Sequence, residues 1–258
     1  MLLKDKVIFV TGAGQGMGRG IAQAVAEAGA QVVVSDLRLE PVQETAQLIE
    51  AAGQRVLPLI ADVLDAEEMS SAIQQAVAAF GRLDGWVNNA GVVKMDSALD
   101  LSEADWAFQF EVNTQGLFLC CQLAAKQMIA QGAGGAIVNI ASNAGKVGYR
   151  NMAAYNASKA AVINLTRSLS LEWAEHNINV NAVCPGGVDT PMLLGVAEWL
   201  TQRIGGDPHE LVKVMKPNQM SRHVQPIEVG RVVAFLLSEQ AIIIRGQAIN
   251  ADGGDTPY

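Results

Sequence analysis

The amino-acid sequence predicts an α/β protein, built as a single doubly wound parallel sheet with helices on both faces. Short apolar runs rich in β-branched residues alternate with longer segments whose apolar residues recur at helical spacing. Strands that are apolar on both sides are typical of a parallel sheet covered by helices on both faces. No linker, repeat or low-complexity tract interrupts the alternation, which favours one domain over residues 1–258.

The elements follow in a regular order along the chain. A strand is predicted at 7–10, followed by a helix at 21–28 that stops at Gly29. A second strand at 31–35 precedes a second helix at 40–52, and a glycine again closes the helix because it accepts the left-handed conformation common after a C-terminus. Further strands are predicted at 55–61, 83–88, 136–141 and 178–183, with helices at 66–80, 102–130 and 153–175.

One segment departs from this pattern. Residues 189–226 mix Met, Trp, Gly and Pro without one clear period. A long irregular insertion late in a compact domain is often a binding loop. We therefore expect this segment to form a partly apolar lid over a substrate.

Composition narrows the possible functions. The chain has 258 residues and a formal net charge of −8, and its 50% hydrophobic content excludes disorder. An acidic chain without a Lys/Arg cluster is poorly suited to nucleic acid. Only 17% of its residues are charged, below the roughly 25% of a typical soluble domain. This low fraction indicates that part of the outer surface is buried in a homo-oligomer.

The cysteines and the N-terminal residues bear on location. Cys120, Cys121 and Cys184 are an odd number and form no Cys-x-x-Cys pair, which favours buried thiols in a reducing compartment over disulfides. The first residues lack a signal-peptide core, and no run approaches the ~20 apolar residues of a membrane span. We therefore expect a cytoplasmic protein without a membrane partner.

A glycine-rich turn, Thr-Gly-Ala-Gly-Gln-Gly-Met-Gly at 11–18, follows the first strand directly and opens a helix. Glycines let the backbone approach a pyrophosphate, whose charge suits the amides at the helix N-terminus. Asp36 ends the second strand, where a carboxylate accepts hydrogen bonds from the adenosine ribose hydroxyls and repels a 2′-phosphate. We therefore predict NAD rather than NADP, although Arg38 lies close by.

Tyr155 and Lys159 are four residues apart, so their side chains project from one face of one helix. An ammonium beside a phenol lowers the phenol pKa from about 10, which makes Tyr155 a usable acid or base for a hydroxyl or carbonyl group. The spacing alone is weak evidence for catalysis, because a tyrosine and a lysine four residues apart more often lie on a packed or solvated face of a helix without a chemical role. Ser142, at the end of a strand, is by itself more often a helix cap.

Together these motifs resemble the short-chain dehydrogenase/reductase family across nearly the whole chain. The resemblance implies a Rossmann-like sheet of about seven strands, hydride transfer between a nicotinamide and a secondary alcohol or ketone, and assembly as a dimer or tetramer. The motifs that carry it are Thr-Gly-x-x-x-Gly-x-Gly at 11–18, Asp62-Val63, Asn88-Asn89-Ala90-Gly91, Asn113, Ser142, Tyr155 with Lys159, Pro185-Gly186-Gly187-Val188-Asp189-Thr190 and Ile249-Asn250-Ala251-Asp252-Gly253-Gly254.

The resemblance also implies a catalytic set. Tyr155 is the general acid/base, and Lys159 holds the nicotinamide ribose and lowers the tyrosine pKa. Ser142 orients the reacting oxygen, and Asn113 carries a proton relay through water.

The implied cofactor contacts extend along the chain. Asp62 and Val63 flank the adenine, and Asn89 belongs to the turn beside the cofactor. Val188 and Thr190 hold the carboxamide end of the nicotinamide. With the glycine-rich turn, the expected contacts are Gly12, Gln15, Gly16, Met17, Gly18, Asp36, Asp62, Val63, Asn89, Tyr155, Lys159, Val188 and Thr190.

The leading hypothesis is an NAD-dependent dehydrogenase of a polyol, sugar alcohol or related small secondary alcohol. Asp36 supports the cofactor, and polar side chains near the reacting oxygen, such as Asn143 and Asn151, favour a polyol. The rivals are a 3-oxoacyl-thioester reductase, which in this family usually prefers NADP, and a non-catalytic NAD(H)-sensing protein on the same fold. We expect no metal site, because the three histidines share no ligand spacing.

Overall fold

Seven parallel strands form the central sheet of the computed structural model, which describes residues 1–256. In space they lie in the order β3-β2-β1-β4-β5-β6-β7, where each number gives the place of the strand in the sequence. The strands are β1 (Val7–Thr11), β2 (Gln31–Asp36), β3 (Val56–Ile60), β4 (Gly85–Asn88), β5 (Gly135–Ile140), β6 (Ile178–Pro185) and β7 (Ala248–Ala251). The predicted parallel α/β architecture is confirmed.

Within the described residues, nine α-helices accompany these strands. They are α1 (Gly16–Glu27), α2 (Leu39–Ala51), α3 (Ala66–Phe80), α4 (Glu103–Phe110), α5 (Leu117–Gln131), α6 (Ala153–Glu172), α7 (Pro191–Ile204), α8 (Pro208–Val214) and α9 (Pro226–Leu236). No helix in this part of the chain is long and apolar enough to cross a membrane.

The apolar core lies in two layers, one on each face of the sheet. On one face, buried Ile21 of α1 and Val233 of α9 belong to the layer that includes Val10 of β1. On the other, Met128 of α5 and Val162 of α6 belong to the second layer. Burial on both faces explains why the strands read as continuous apolar runs.

Two predicted segments differ from the structure. The helix expected at 102–130 is two α-helices joined by a π-helical turn at Glu111–Gly116. The irregular segment expected at 189–226 contains α7 and α8. The other predicted strands and helices are present, with bounds that shift by a few residues.

The missed helices carried start signals in the sequence. Each of α7, α8 and α9 has a proline in its first turn, directly after Thr190, Asp207 or Gln225. The fixed φ of proline suits the first helical position, and a polar residue before it can satisfy free amide groups. Three such pairs therefore predict three helix starts. Two lie inside the segment 189–226, whose mixed composition concealed them, and α9 begins where this segment ends.

Candidate active site

The site lies where the winding of the sheet reverses, between β1 and β4. In open α/β sheets this reversal leaves a crevice at the carboxyl ends of the two strands, where ligands bind. A cavity of about 710 Å³ opens here and extends from the glycine-rich turn past Ser142 and Tyr155 to Met215 beyond α8. Of the predicted site residues, all except Asn113 and Lys159 line this cavity.

The glycine-rich turn brings α1 very close to the end of β1. A Cβ atom at Gly18 would lie 2.1 Å from the carbonyl oxygen of Gly12 and 2.4 Å from Nδ2 of Asn89. Asn89 fixes the same place, because its Nδ2 donates to the carbonyl oxygens of Thr11 at 3.0 Å and Gly12 at 2.9 Å. The packing therefore requires glycine at position 18.

The N-terminus of α1 is left open towards the cavity. Gln15 makes no side-chain hydrogen bond to the first turn, and that turn contains no acidic residue. Free amide groups at a helix N-terminus favour an anion. The glycine cradle and these donors therefore fit a pyrophosphate.

Asp36 presents a carboxylate at the end of β2. Its Oδ2 accepts from the Gly14 amide at 3.0 Å, and its Oδ1 accepts from the Leu37 amide at 2.8 Å. Arg19, whose guanidinium donates to the Gly14 carbonyl oxygen at 2.6 Å and to Glu44 at 2.7 Å, does not line the cavity. Arg38 is exposed and also lies outside the cavity lining.

Short local hydrogen bonds hold the residues predicted at the adenine end and at the nicotinamide end of the cofactor site. Asp62 accepts from the Leu64 amide at 2.9 Å, while its own amide donates to Glu68 at 2.8 Å. Thr190 Oγ1 donates to the Val188 carbonyl oxygen at 3.2 Å and caps α7. Val63, which was predicted beside Asp62, lines the same cavity.

Ser142 and Tyr155 meet at the centre of the cavity. Ser142 follows β5, and its Oγ accepts from the Ala144 amide at 3.1 Å. Tyr155 lies in the first turn of α6 and lines the cavity together with Ser142. A protonated phenol and a hydroxyl therefore face one small volume where a substrate oxygen fits.

Asn113 and Lys159 lie behind this volume and are buried. Asn113, in the π-helical turn, donates to the Val92 carbonyl oxygen at 2.9 Å and to Ser158 Oγ at 3.1 Å. A Cβ at Gly91 would lie 3.1 Å from Asn113 Oδ1 and 3.4 Å from Lys159 Nζ. Gly91 is therefore the thin wall between the two predicted residues and the cavity.

The expected lowering of the Tyr155 pKa by Lys159 stays a prediction, because other groups set this pKa in the structure. Burial raises the pKa of Tyr155, and the hydrogen bond with Ser142 lowers it to a smaller extent. Lys159 Nζ donates instead to the Ile140 carbonyl oxygen at 2.9 Å and lies 5.8 Å from the centre of the Tyr155 ring. Burial also lowers the pKa of Lys159 to about 8.

This lowered pKa makes Lys159 a source of pH-dependent stability. The unfolded lysine holds its proton up to about pH 10.4, whereas the folded one releases it near pH 8. Between these values the unfolded state binds more protons, so the free energy of unfolding rises with pH.

We expect the wild-type protein to gain about 1 kcal/mol between pH 8 and pH 9 relative to Lys159→Met. Urea unfolding of both proteins without cofactor at each pH measures this difference, because the other titrating groups cancel. A difference that is constant across these pH values would contradict the lowered pKa.

Sequence reasoning missed the far end of the cavity. Asn143 lines the cavity as expected, but Asn151 does not: it has a φ of 62° and accepts from the Asp96 amide through its carbonyl oxygen at 3.0 Å. Tyr149 and Asp255 line the cavity instead. They are more than 100 residues apart in sequence, so no spacing signal could have paired them.

The cysteines are free and buried, as predicted. In residues 1–256, no group of three or more His, Cys, Asp and Glu side chains could hold a metal ion.

This sheet order, with a glycine-rich turn at its winding reversal, defines a Rossmann-like protein, a class that binds nucleotides at this crevice. A family model described as short chain dehydrogenase matches residues 6–201. The chain belongs to the short-chain dehydrogenase/reductase family. It is an oxidoreductase of the alcohol type, and its family uses a nicotinamide cofactor.

Similar proteins match the chain over nearly its full length. The 2-dehydro-3-deoxy-D-gluconate 5-dehydrogenase of Escherichia coli is 37% identical and covers 98% of this chain and 96% of its own. The NAD-dependent glycerol dehydrogenase of Listeria innocua is also 37% identical, over 98% and 95%. The crystal structure of a short-chain type dehydrogenase/reductase from Mycobacterium marinum has a TM-score of 0.90 at 32% identity, over 99% and 97%.

Proposed function

We propose that this protein is an NAD-dependent dehydrogenase that interconverts a small secondary alcohol, foremost a polyol or sugar alcohol, with its ketone. The observation that carries this proposal is one continuous cavity. It has Asp36 and the glycine-rich turn at one end and the Ser142–Tyr155 pair in the middle. A relative that is 37% identical is named as an NAD-dependent glycerol dehydrogenase, which supports both the cofactor and the substrate class.

The chain's residues fit the cofactor at several points. The open N-terminus of α1 would receive the pyrophosphate and Asp36 the adenosine ribose, and the resemblance implies that Val188 and Thr190 would hold the nicotinamide end. When bound, the cofactor accepts or supplies the hydride.

The protein's own part is to move one proton and to fix one oxygen. In the reduction direction the Tyr155 phenol donates its proton to the carbonyl oxygen and becomes a phenolate, and in the oxidation direction the phenolate takes the proton from the hydroxyl. Ser142 lines the cavity together with Tyr155, and we assign its hydroxyl to hold the same oxygen by turning from Asn143 towards the substrate. By the resemblance, Lys159 and Asn113, which lie behind Gly91, would form the route by which this proton is replaced.

The choice of NAD depends on Asp36. We expect Asp36→Ser to lower kcat/KM for NAD by about 10-fold to 100-fold, because hydrogen bonds to a charged group contribute roughly 1.5–3 kcal/mol. The same change removes the repulsion of a 2′-phosphate, so kcat/KM for NADP rises.

Steady-state rates with both cofactors measure this change in preference. Glu40→Gln is the matched control, because Glu40 is an exposed acid at the start of α2 outside the cavity lining. A wild-type protein with a lower KM for NADP than for NAD would contradict the role of Asp36.

The rival functions make different demands on the site. A 3-oxoacyl-thioester reductase is disfavoured, because such reductases of this family usually prefer NADP. The Asp36 carboxylate would repel the 2′-phosphate of NADP. A non-catalytic NAD(H) sensor has no need of the buried set behind Gly91 or of a phenol paired with Ser142.

We further propose that the chain assembles as a homo-oligomer, a dimer or tetramer, in the cytoplasm. Trp106 of α4 and Phe118 of α5 are 44% and 37% exposed, and burial against a second copy would remove such side chains from water. The buried free thiols suit a reducing compartment.

The direct test is formation of reduced nicotinamide with NAD and, separately, NADP, over a panel of sugar alcohols, vicinal diols, simple secondary alcohols and hydroxyacyl thioesters. Turnover with NAD and an alcohol is the expected result. NADP-driven thioester turnover would favour the reductase, and no turnover with NADH binding intact would favour the sensor.

A further inference from the structure

The far end of the cavity carries polar groups that the reaction at Tyr155 does not use. Beyond Ser142, the cavity reaches Asn143, Tyr149 and Asp255. These side chains come from the loop after β5 and from the C-terminal segment after β7.

Asn143 joins the reacting centre to Tyr149. Its Nδ2 donates to the Tyr149 hydroxyl oxygen at 2.8 Å, and its Oδ1 lies 3.4 Å from the Ser142 hydroxyl, which donates to it. One carboxamide therefore spans the two hydroxyl groups. This places the Tyr149 hydroxyl within the length of a small substrate from the oxygen that Ser142 holds.

The Tyr149 hydroxyl still has a proton to donate. A phenol can both accept and donate, and within residues 1–256 the one hydrogen bond of this hydroxyl is the bond it accepts from Asn143. The side chain is 39% exposed and lines the cavity. Its free donor is therefore directed to a ligand or to water.

The charge at this end disfavours an anionic ligand group. Asp255 Oδ1 accepts from the backbone and side-chain amides of Asn218 at 3.3 and 3.2 Å, which fixes the carboxylate in the cavity wall. Burial and then the charge of Asp255 raise the pKa of Tyr149, so the phenol stays protonated at neutral pH. Lys216 also lines the cavity, but it is exposed and its Nζ is directed to the Ser221 carbonyl oxygen at 3.4 Å.

Apolar side chains form much of the rest of the cavity lining. They accommodate the carbon skeleton of a ligand, so that the few polar groups fix its orientation. These apolar side chains include Phe108, Met152, Met192, Val196 and Met215.

We propose that Tyr149, held by Asn143, binds a second and neutral hydroxyl group of the substrate close to the carbon that reacts. The substrate class is therefore a small diol or polyol, rather than a mono-alcohol or a hydroxy acid. This inference rests on the proposed alcohol dehydrogenase activity and adds a specificity-determining residue to it.

The test compares cyclohexanol, trans-1,2-cyclohexanediol and cis-4-hydroxycyclohexanecarboxylate at saturating NAD. We expect the wild-type protein to have its highest kcat/KM with the diol. Tyr149→Phe should lower the ratio of kcat/KM for diol to mono-alcohol by about 10-fold, as the loss of one hydrogen bond predicts. Arg150→Ala is the control, because Arg150 is the exposed neighbour outside the cavity lining, and the ratio should not change in this variant.

The outcomes separate this inference from the proposed function. An unchanged ratio in Tyr149→Phe, or a wild-type preference for the mono-alcohol or the carboxylate, would overturn the second-hydroxyl site while the dehydrogenase activity stands. No turnover of any of the three, with NADH binding intact, would overturn the dehydrogenase proposal and this inference with it.

Discussion

Tyr155→Phe is expected to lower kcat by about 10²-fold to 10⁴-fold, the contribution of a positioned general acid or base, while the binding of NADH changes little. The substitution removes one hydroxyl and keeps the ring, so the walls of the cavity and the start of α6 are preserved. The lost group is the phenol hydroxyl, which we assign to move the proton of the reacting oxygen. Rates of NADH formation and titration of NADH fluorescence measure the two quantities.

Tyr149→Phe is the matched control for this experiment. It deletes the same hydroxyl from the same type of side chain in the same cavity, yet we expect only about a 10-fold loss with a diol, the effect of one binding contact. Equal losses in the two variants would mean that Tyr155 contributes only a binding contact. Retained activity in Tyr155→Phe would show that the acid/base is assigned wrongly.

The fold was largely predictable because each strand carries its own signal. The apolar runs that become β1 and β5 are buried on both faces, and each is followed by a helical pattern or a polar loop residue. The π-helical turn at Glu111–Gly116 gave no such signal, since one extra residue in a turn hardly alters an apolar pattern. That turn places Asn113 beside Gly91. Because the apolar pattern did not indicate the turn, Asn113 could be assigned to the site only through the resemblance.

The candidate site was predictable where its residues are close in sequence. Tyr155 and Lys159 share a helix, but the spacing did not reveal that the ammonium is held by Ile140, a residue of the neighbouring strand. Tyr149 and Asp255 meet only because β7 pairs with β6 and brings the C-terminal segment back to the cavity. Such long-range contacts depend on the packing of whole elements.

Gly18→Ala is expected to lower the free energy of unfolding by about 3 kcal/mol, at the upper end of the usual cost of overpacking. The added Cβ would meet the Gly12 carbonyl oxygen at 2.1 Å and Asn89 Nδ2 at 2.4 Å. One neighbour is backbone at the end of β1, and the other is held by two hydrogen bonds. Neither can move without separating α1 from the strand or breaking the link from β4 to β1.

Gly195→Ala is the matched control, since this glycine also lies within a helix, α7, but a Cβ there has no neighbour within 4 Å. We expect it to stabilise the protein by about 0.5–1 kcal/mol, because alanine loses less backbone freedom on folding. Urea unfolding of the two variants measures whether the free energy of unfolding falls in Gly18→Ala and rises in Gly195→Ala. If Gly18→Ala were as stable as Gly195→Ala, the turn could not be packed against Asn89 as described. If the packing is as described, the displaced turn also loses its shape as an anion cradle, so the affinity for NADH falls together with stability in Gly18→Ala alone.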